Sequence, residues 1–273
     1  MSKYRIVLIV LLNLIFLYSL LYPFIYQDMK KGREDESEQV PEVVIEQPLH
    51  NVNLPDFGAI KNVKVKKRKF FDFIQPAVIK ENNHILTLRK RLLLINTKQA
   101  NAEELTTQDL DFIKHLSKEY KVKAKTPNKQ LKALLLKVDV IPNALVLVQA
   151  ANESAWGTSR FARIGLNFFG IWCFDEGCGM VPNKRNEGAD HEVAAYSSVR
   201  QAVKRYLYNI NTNSAYSVFR AIRKQLREYN QPLYPEVLAT GLLPYSERGS
   251  EYVEEITDMI RHNKRYFYPK EGQ

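Results

Sequence analysis

The chain has 273 residues, 45% of them hydrophobic, which is enough apolar mass for a full core and too much for a disordered polymer. Its 40 Lys and Arg against 30 Asp and Glu leave a formal charge of +10, which suits an anionic partner. No aromatic RNA-binding pattern or zinc-finger spacing accompanies that charge, so nucleic acid is not expected; anionic cell-wall polymer and lipid head groups remain.

The N-terminus sets the compartment. Between Arg5 and Asp28 lie 22 uncharged residues, IVLIVLLNLIFLYSLLYPFIYQ, long enough to cross a hydrocarbon core of roughly 30 Å. Tyr18, Tyr22 and Tyr26 recur every four residues at its far end, where an aromatic belt would sit. A signal peptide has a shorter apolar core and small residues before the cut, and no A-x-A site is present. Residues 1–27 therefore read as an uncleaved single-pass anchor in the cytoplasmic membrane, with residues 6–27 in the bilayer and the rest facing the periplasm or cell exterior.

Residues 28–60 are rich in acids, Pro, Gln and Asn and read as an extended tether. Charge then inverts: 27–50 hold seven acids against three bases, whereas 61–100 hold eleven bases against two acids, including the run Lys66, Lys67, Arg68, Lys69. That basic lead-in, 61–124, turns helical from about Phe70 to Ile95 with an interruption at Pro76, and Thr107 before Asp109–Tyr120 resembles a capped start. Further helices are expected over Asn128–Lys137, Ile141–Ala155, Val199–Asn211, Tyr216–Glu228, Tyr234–Thr240 and Ser246–His262. Only Gly179–Ala195, with the turn-like Asn186-Glu187-Gly188, reads as a β-hairpin. Residues 125–265 would form the main domain and 266–273 a short tail.

Within it, Glu153 ends a helix that begins near Pro142 and is apolar nearly all round, from Ala144 to Ala151. A carboxylate there is either snorkelling from the helix end or desolvated, and desolvation raises a carboxyl's pKa toward the range a general acid needs. Cys173 and Cys178 enclose FDEG; an exported chain would oxidise such a pair if the backbone permits, and a metal site would need two further ligands, of which only His191 lies near in sequence.

The string ESAWGTSRFAR…NFFGIW carries a resemblance. Glu153, Ser154, Ala155, Trp156, Gly157, Ser159, Ala162, Asn167, Phe168, Phe169, Gly170 and Ile171 match in register the pattern of the glucosaminidase domain of bacterial peptidoglycan hydrolases, glycoside hydrolase family 73. The resemblance continues through YSSVRQAVKRYLYNINTNSAY to LPYSERGSEYVEEITDMI, about Lys125 to Asn263, and the CFDEGCGMVP and KRKFFDFIQP segments look closest to its Bax-type bacterial branch. It implies a mainly α, lysozyme-like fold with a small β-hairpin lobe, and a glycosidase cleaving β-1,4 bonds next to N-acetylglucosamine in peptidoglycan without cofactor or metal. Glu153 would be the general acid.

Glycoside hydrolysis asks for a second carboxylate or an equivalent group. Glu192, on an expected strand, is preferred; Glu187 on the turn, and Glu176 and Asp175 between the cysteines, are the alternatives. Tyr245 matches a cleft tyrosine of the family, with Ser-Glu-Arg-Gly following where many relatives have Ala-Thr-Asp-Pro, which makes Glu247 and Arg248 candidates for contacts of this branch. Trp156, Phe169, Trp172 and Tyr216 suit sugar stacking, although large aromatics taken singly are more often core. Asn167 joins them by its place in the motif, and by residue type suits a turn whose backbone it satisfies. A lytic transglycosylase using Glu153 alone, a non-catalytic peptidoglycan-binding scaffold and a glycoprotein endoglycosidase are the alternative functions.

Overall fold

The computed structural model of the chain describes Tyr18, Tyr22, residues 46–182 and residues 191–267. The chain divides after Glu46, and Gln47 onward forms one compact unit. The expected anchor at 6–27, apart from two helical tyrosines, and the tether up to residue 45 lie outside the described residues. Among the described residues no helix is long and apolar enough to cross a membrane.

The unit is mainly helical. α1 (Val63–Ala100) starts where the Asn62 side chain accepts from the Lys64 and Val65 amides, and it runs 38 residues without a break at Pro76. Pro76 is exposed, as is Asp72 four residues earlier, so the carbonyl that loses its partner faces water, while Phe70, Phe71, Ile74, Val78 and Ile85 keep one buried face on both sides of the proline. α2 (Thr107–Glu119) is capped one residue earlier than expected: Thr106 and Asp109 exchange side-chain and backbone hydrogen bonds in a capping box. α3 (Pro127–Lys137) leads into α4 (Asn143–Glu153), for which Pro142 is the N-cap rather than the first helical residue. Ala144 to Ala151 are all buried, and α4 packs against α1 and, from the far end of the chain, α8 (Pro235–Ala239) and α9 (Ser250–Phe267). An all-round apolar helix is thus the centre of the fold, as its composition requires.

The remaining elements are α5 (Arg160–Gly165), α6 (Val199–Thr212), a turn of 3-10 helix at Ser214–Tyr216, α7 (Ser217–Glu228) and a second 3-10 segment at Thr240–Tyr245. The expected hairpin is two strands of a three-stranded antiparallel sheet. β3 (Glu192–Ala194) lies between β1 (Trp172–Cys173) and β2 (Gly179–Met180), with Trp172 opposite Val193 and Gly179 opposite Ala194. β1 has two residues, too few for an alternation that sequence could display.

Two segments depart from the expected boundaries. Residues 49–60 are docked rather than extended as tether: the Leu49 amide donates to the Ile164 carbonyl at 2.8 Å, and Phe57, 1% exposed, packs on Phe70 and Phe73. α9 also extends two residues into the expected tail, because Phe267 is buried against Phe71.

A buried charge cluster fixes the approach to α4. Asp139 is 2% exposed and pairs with Arg227 at 2.9 Å and Arg89 at 3.5 Å, while the fully buried Arg223 guanidinium donates to the Asp139, Val140 and Leu136 carbonyls. Burial opposes ionisation of Asp139, but the Arg227 hydrogen bond and the charges of Arg223 and Arg89 hold its pKa below the usual carboxylate value. Burial likewise pulls Arg223 down to about 10.

Candidate active site

α4 stops abruptly beyond Glu153, and the stop explains the letters that follow. Ser154 donates to the Ala150 carbonyl at 2.6 Å and accepts the Gly157 amide at 2.8 Å. Ala155, Trp156 and Gly157 then take positive φ in succession, 49°, 59° and 79°. Left-handed backbone costs a non-glycine residue about 1–2 kcal/mol, and for Trp156 packing offsets it. Its ring meets Phe70 and Phe71 edge-on at 5.7 and 5.3 Å, and the Lys67 ammonium lies 5.0 Å above it. At Gly157 a Cβ would fall 2.5 Å from the Phe57 ring, so only glycine fits.

The Glu153 carboxyl therefore leaves a rigid helix end. The Tyr252 hydroxyl, which α9 supplies, lies beside it and favours its ionised form. Gln149, one turn earlier on α4 and fully buried, organises that tyrosine: its Nε2 donates to the Tyr252 oxygen at 2.9 Å, while Tyr206 from α6 donates to its Oε1. The result is a buried relay, Tyr206 to Gln149 to Tyr252, whose last hydroxyl sits beside Glu153. Burial raises the Glu153 pKa; the Tyr252 hydrogen bond and the charge of Arg248 oppose the rise, and Glu255 adds to it. A half-buried carboxyl whose proton is held above the usual range is suited to donating that proton.

The other wall is a loop wound on Asn167. Its Nδ2 donates to the Ile171 and Ala194 carbonyls, both at 2.8 Å, and its Oδ1 accepts the Phe169 and Ile171 amides. That loop presents Phe169 and Gly170. Gly170 has φ 62°, and a Cβ on it would lie 3.8 Å from Glu153 Oε2, so the acid faces bare backbone. Tyr245 donates to the Phe169 carbonyl at 2.9 Å and stacks on Tyr252 with ring centroids 5.5 Å apart.

These groups open into a cleft of about 890 Å³, lined among others by Glu153, Phe169, Trp172, Tyr216 and Tyr245. Trp172 and Phe174, on the β lobe, are 53% and 74% exposed, and Trp172 stacks on His191 at 4.2 Å. Large aromatics left this bare at a cleft edge offer flat faces to a ligand.

The structure brings together Glu153, Phe169, Trp172, Tyr216 and Tyr245. It does not bring Trp156, which packs on α1 outside the cleft lining, nor Asn167, whose amide is spent on backbone. Glu192 is 7% exposed and also outside that lining. Its two oxygens accept the Gly177 and Gly179 amides at 3.1 and 2.8 Å, tying β3 to the loop closed by the Cys173–Cys178 disulfide, whose Cα atoms are 6.2 Å apart. The sulfurs and this carboxylate are the one group among the described residues with metal-ligand spacing, and all are already engaged. Asp175 and Glu176 are exposed on that loop, and Glu187 lies outside the described residues. Glu153 is thus the one carboxylate among the described residues lining the cleft. Sequence reading missed Gln149, Tyr206 and Tyr252; the only early signal was Gln149, a polar side chain one turn before Glu153 on a helix too apolar to tolerate it unpaired.

Comparison with known proteins gives a consistent picture. Residues 128–265 match the glucosaminidase family, described as mannosyl-glycoprotein endo-beta-N-acetylglucosaminidase. The chain is also 32% identical over 215 residues to the protein named Protein bax of Escherichia coli (strain K12), covering 78% of this chain and 75% of that one. No solved structure matches the chain.

Proposed function

Because this chain belongs to the glucosaminidase family, we propose that it is a peptidoglycan hydrolase of lysozyme-like fold, an endo-β-N-acetylglucosaminidase cleaving β-1,4 bonds next to N-acetylglucosamine. One observation carries the reading: a half-buried carboxyl with a raised pKa, Glu153, on the wall of a cleft with bare aromatic rims. Protonated Glu153 delivers its proton to the glycosidic oxygen as the bond to the anomeric carbon breaks, the leaving strand departs as an alcohol, and water adds to the anomeric carbon, its surplus proton returning to the Glu153 carboxylate. Tyr252 steadies the carboxylate that remains, and Gln149 holds Tyr252 in place. The Tyr245 proton is committed to Phe169, so its oxygen is available only as an acceptor.

A second reading has an observation in its favour. With Glu192 bound to two backbone amides and no other carboxylate lining the cleft among the described residues, a single-acid route fits: a lytic transglycosylase, in which a hydroxyl of the substrate closes on the anomeric carbon. The same proposal puts residues 6–27 in the cytoplasmic membrane and the domain outside it. The length of the uncharged segment and the disulfide, a bond that persists in oxidising compartments, support that topology.

Mass spectrometry of purified wall digested by the full-length protein is the test. Fragments ending in reducing N-acetylglucosamine are expected; 1,6-anhydro ends would replace the hydrolase with the transglycosylase, and intact wall would end the enzyme reading.

A further inference from the structure

The cleft has a charge pattern that the acid does not explain. Lys121 and Lys123 from the segment between α2 and α3, Lys137 from the end of α3 and Arg205 from α6 all line it, against the single carboxylate of Glu153 among the described residues. Among the described residues none of the four has an ion pair, whereas elsewhere on this surface Lys98 has Asp109, Arg200 has Glu81 and Arg248 has Glu255. Like charges gathered from three separate elements give the cleft a positive potential that attracts anionic groups.

Their neighbours aim these cations without neutralising them. Lys137 Nζ donates to the Tyr120 and Lys121 carbonyls at 2.8 and 3.0 Å, which fixes the ammonium and leaves one N–H over. Lys121 and Arg205 both sit over the Tyr208 ring, at 5.9 and 5.7 Å, and the Tyr208 hydroxyl is anchored on the Glu119 carbonyl at 2.9 Å. Burial lowers the Lys137 pKa, and the positive fields of Arg220 and Lys121 lower it further. Asn209, Thr212, Asn213 and Ser214 line the same cleft and add uncharged hydrogen-bonding groups.

We propose that Lys121, Lys123, Lys137 and Arg205 form a carboxylate-reading wall, which selects glycan strands bearing acidic groups over neutral N-acetylglucosamine polymers with the same β-1,4 backbone. The inference rests on the peptidoglycan reading above and specifies how that polymer is recognised. Two sources supply the carboxylate in such a strand: the attached peptides, which cap the lactyl group of alternate sugars as an amide, and the lactyl group itself wherever the peptide has been removed; both present it beside the backbone that the aromatic rims would hold.

Binding by the full-length Glu153→Gln protein, in detergent, isolates recognition from turnover. It is measured on peptide-bearing wall, on wall stripped of peptides by an amidase, and on chitin. The basic wall favours the first whereas the aromatic rims serve all three, and retention on chitin is expected to be at least about tenfold weaker. Stripping uncovers one lactyl carboxylate for each peptide removed, so retention that survives it shows that the lactyl carboxylate suffices, and retention lost on stripping assigns the peptides; either supports the proposal. Adding Lys121→Gln, Lys123→Gln and Arg205→Gln, all at exposed side chains, should weaken wall binding by about tenfold and leave chitin binding and the melting temperature unchanged. Equal binding of chitin and wall, or a triple variant with an unchanged melt that binds wall as its parent does, overturns the proposal. Wall digestion by the enzyme with Glu153 intact separates the two levels. Absence of any cleavage counts against the glycosidase reading, whereas cleavage with a KM that the triple substitution does not move counts against the carboxylate wall alone.

Discussion

Glu153 and Glu192 are both withdrawn from water, and the fold surrounds their carboxylates in opposite ways. Glu153 leaves an apolar helix end and receives a tyrosine hydroxyl, so burial keeps its pKa high. Glu192 leaves a strand, is more deeply buried, and has an amide on each oxygen. A carboxyl meant to give up a proton must be desolvated yet sparingly bonded; one meant to hold a loop must be bonded at both oxygens. The helical side of the cleft supplies the first condition and the β lobe the second.

Changes to the support of each glutamate should separate the two roles. The helix stop beneath Glu153 is the most sensitive place: Gly157→Ala puts a methyl 2.5 Å from Phe57 at φ 79° and should cost about 3 kcal/mol or more in urea melts. Gly170→Ala, whose methyl meets Glu153 Oε2 at 3.8 Å, should cost only about 1 kcal/mol. On the β lobe, Glu192→Ala strands the Gly177 and Gly179 amides and should lower stability by about 2 kcal/mol, with kcat/KM of the folded protein within about threefold of the parent. A larger loss of rate from a folded Glu192 variant would move that residue into the chemistry.

The relay gives smaller, more specific effects. Tyr252→Phe removes the donor that stabilises the Glu153 carboxylate, so the alkaline limb of the pH–rate profile should move to higher pH and kcat/KM should fall about tenfold. Smallest is a gain in stability. With its pKa raised by folding, Glu153 contributes stability that is fully present below the unfolded glutamate's pKa and lost as pH rises through the folded value. Glu153→Gln, which mimics the protonated form, should therefore melt higher than its parent at neutral pH and lose that advantage below about pH 4.

Legibility in sequence followed the range of the interactions. Glu153 could be read because its signal is local: an apolar run, then Ser-Ala-Trp-Gly to end the helix. The same locality misplaced Trp156, since the motif shows an aromatic at the stop but not that Phe70 and Phe71, more than eighty residues earlier, enclose it. Tyr252 and Tyr206 join Gln149 across 103 and 57 positions, a distance at which periodicity says nothing. The sequence favours Glu192 as the second acid because it lies on an expected strand rather than at a turn tip, and a strand pattern cannot reveal that its oxygens are filled by the amides of a disulfide loop. Pro76 marked a break by residue type, and only burial on both sides of it shows why the helix continues.

The most direct test compares Glu153→Gln and Glu192→Gln, side by side, for kcat/KM on purified wall, with melting curves to verify folding. Loss of the general acid should cost about a thousandfold for Glu153→Gln, with folding intact, and Glu192→Gln should stay within about threefold of the parent. A folded Glu153→Gln that keeps more than a tenth of the activity, or a folded Glu192→Gln that loses as much, would contradict the assignment of Glu153 as the acid of this cleft.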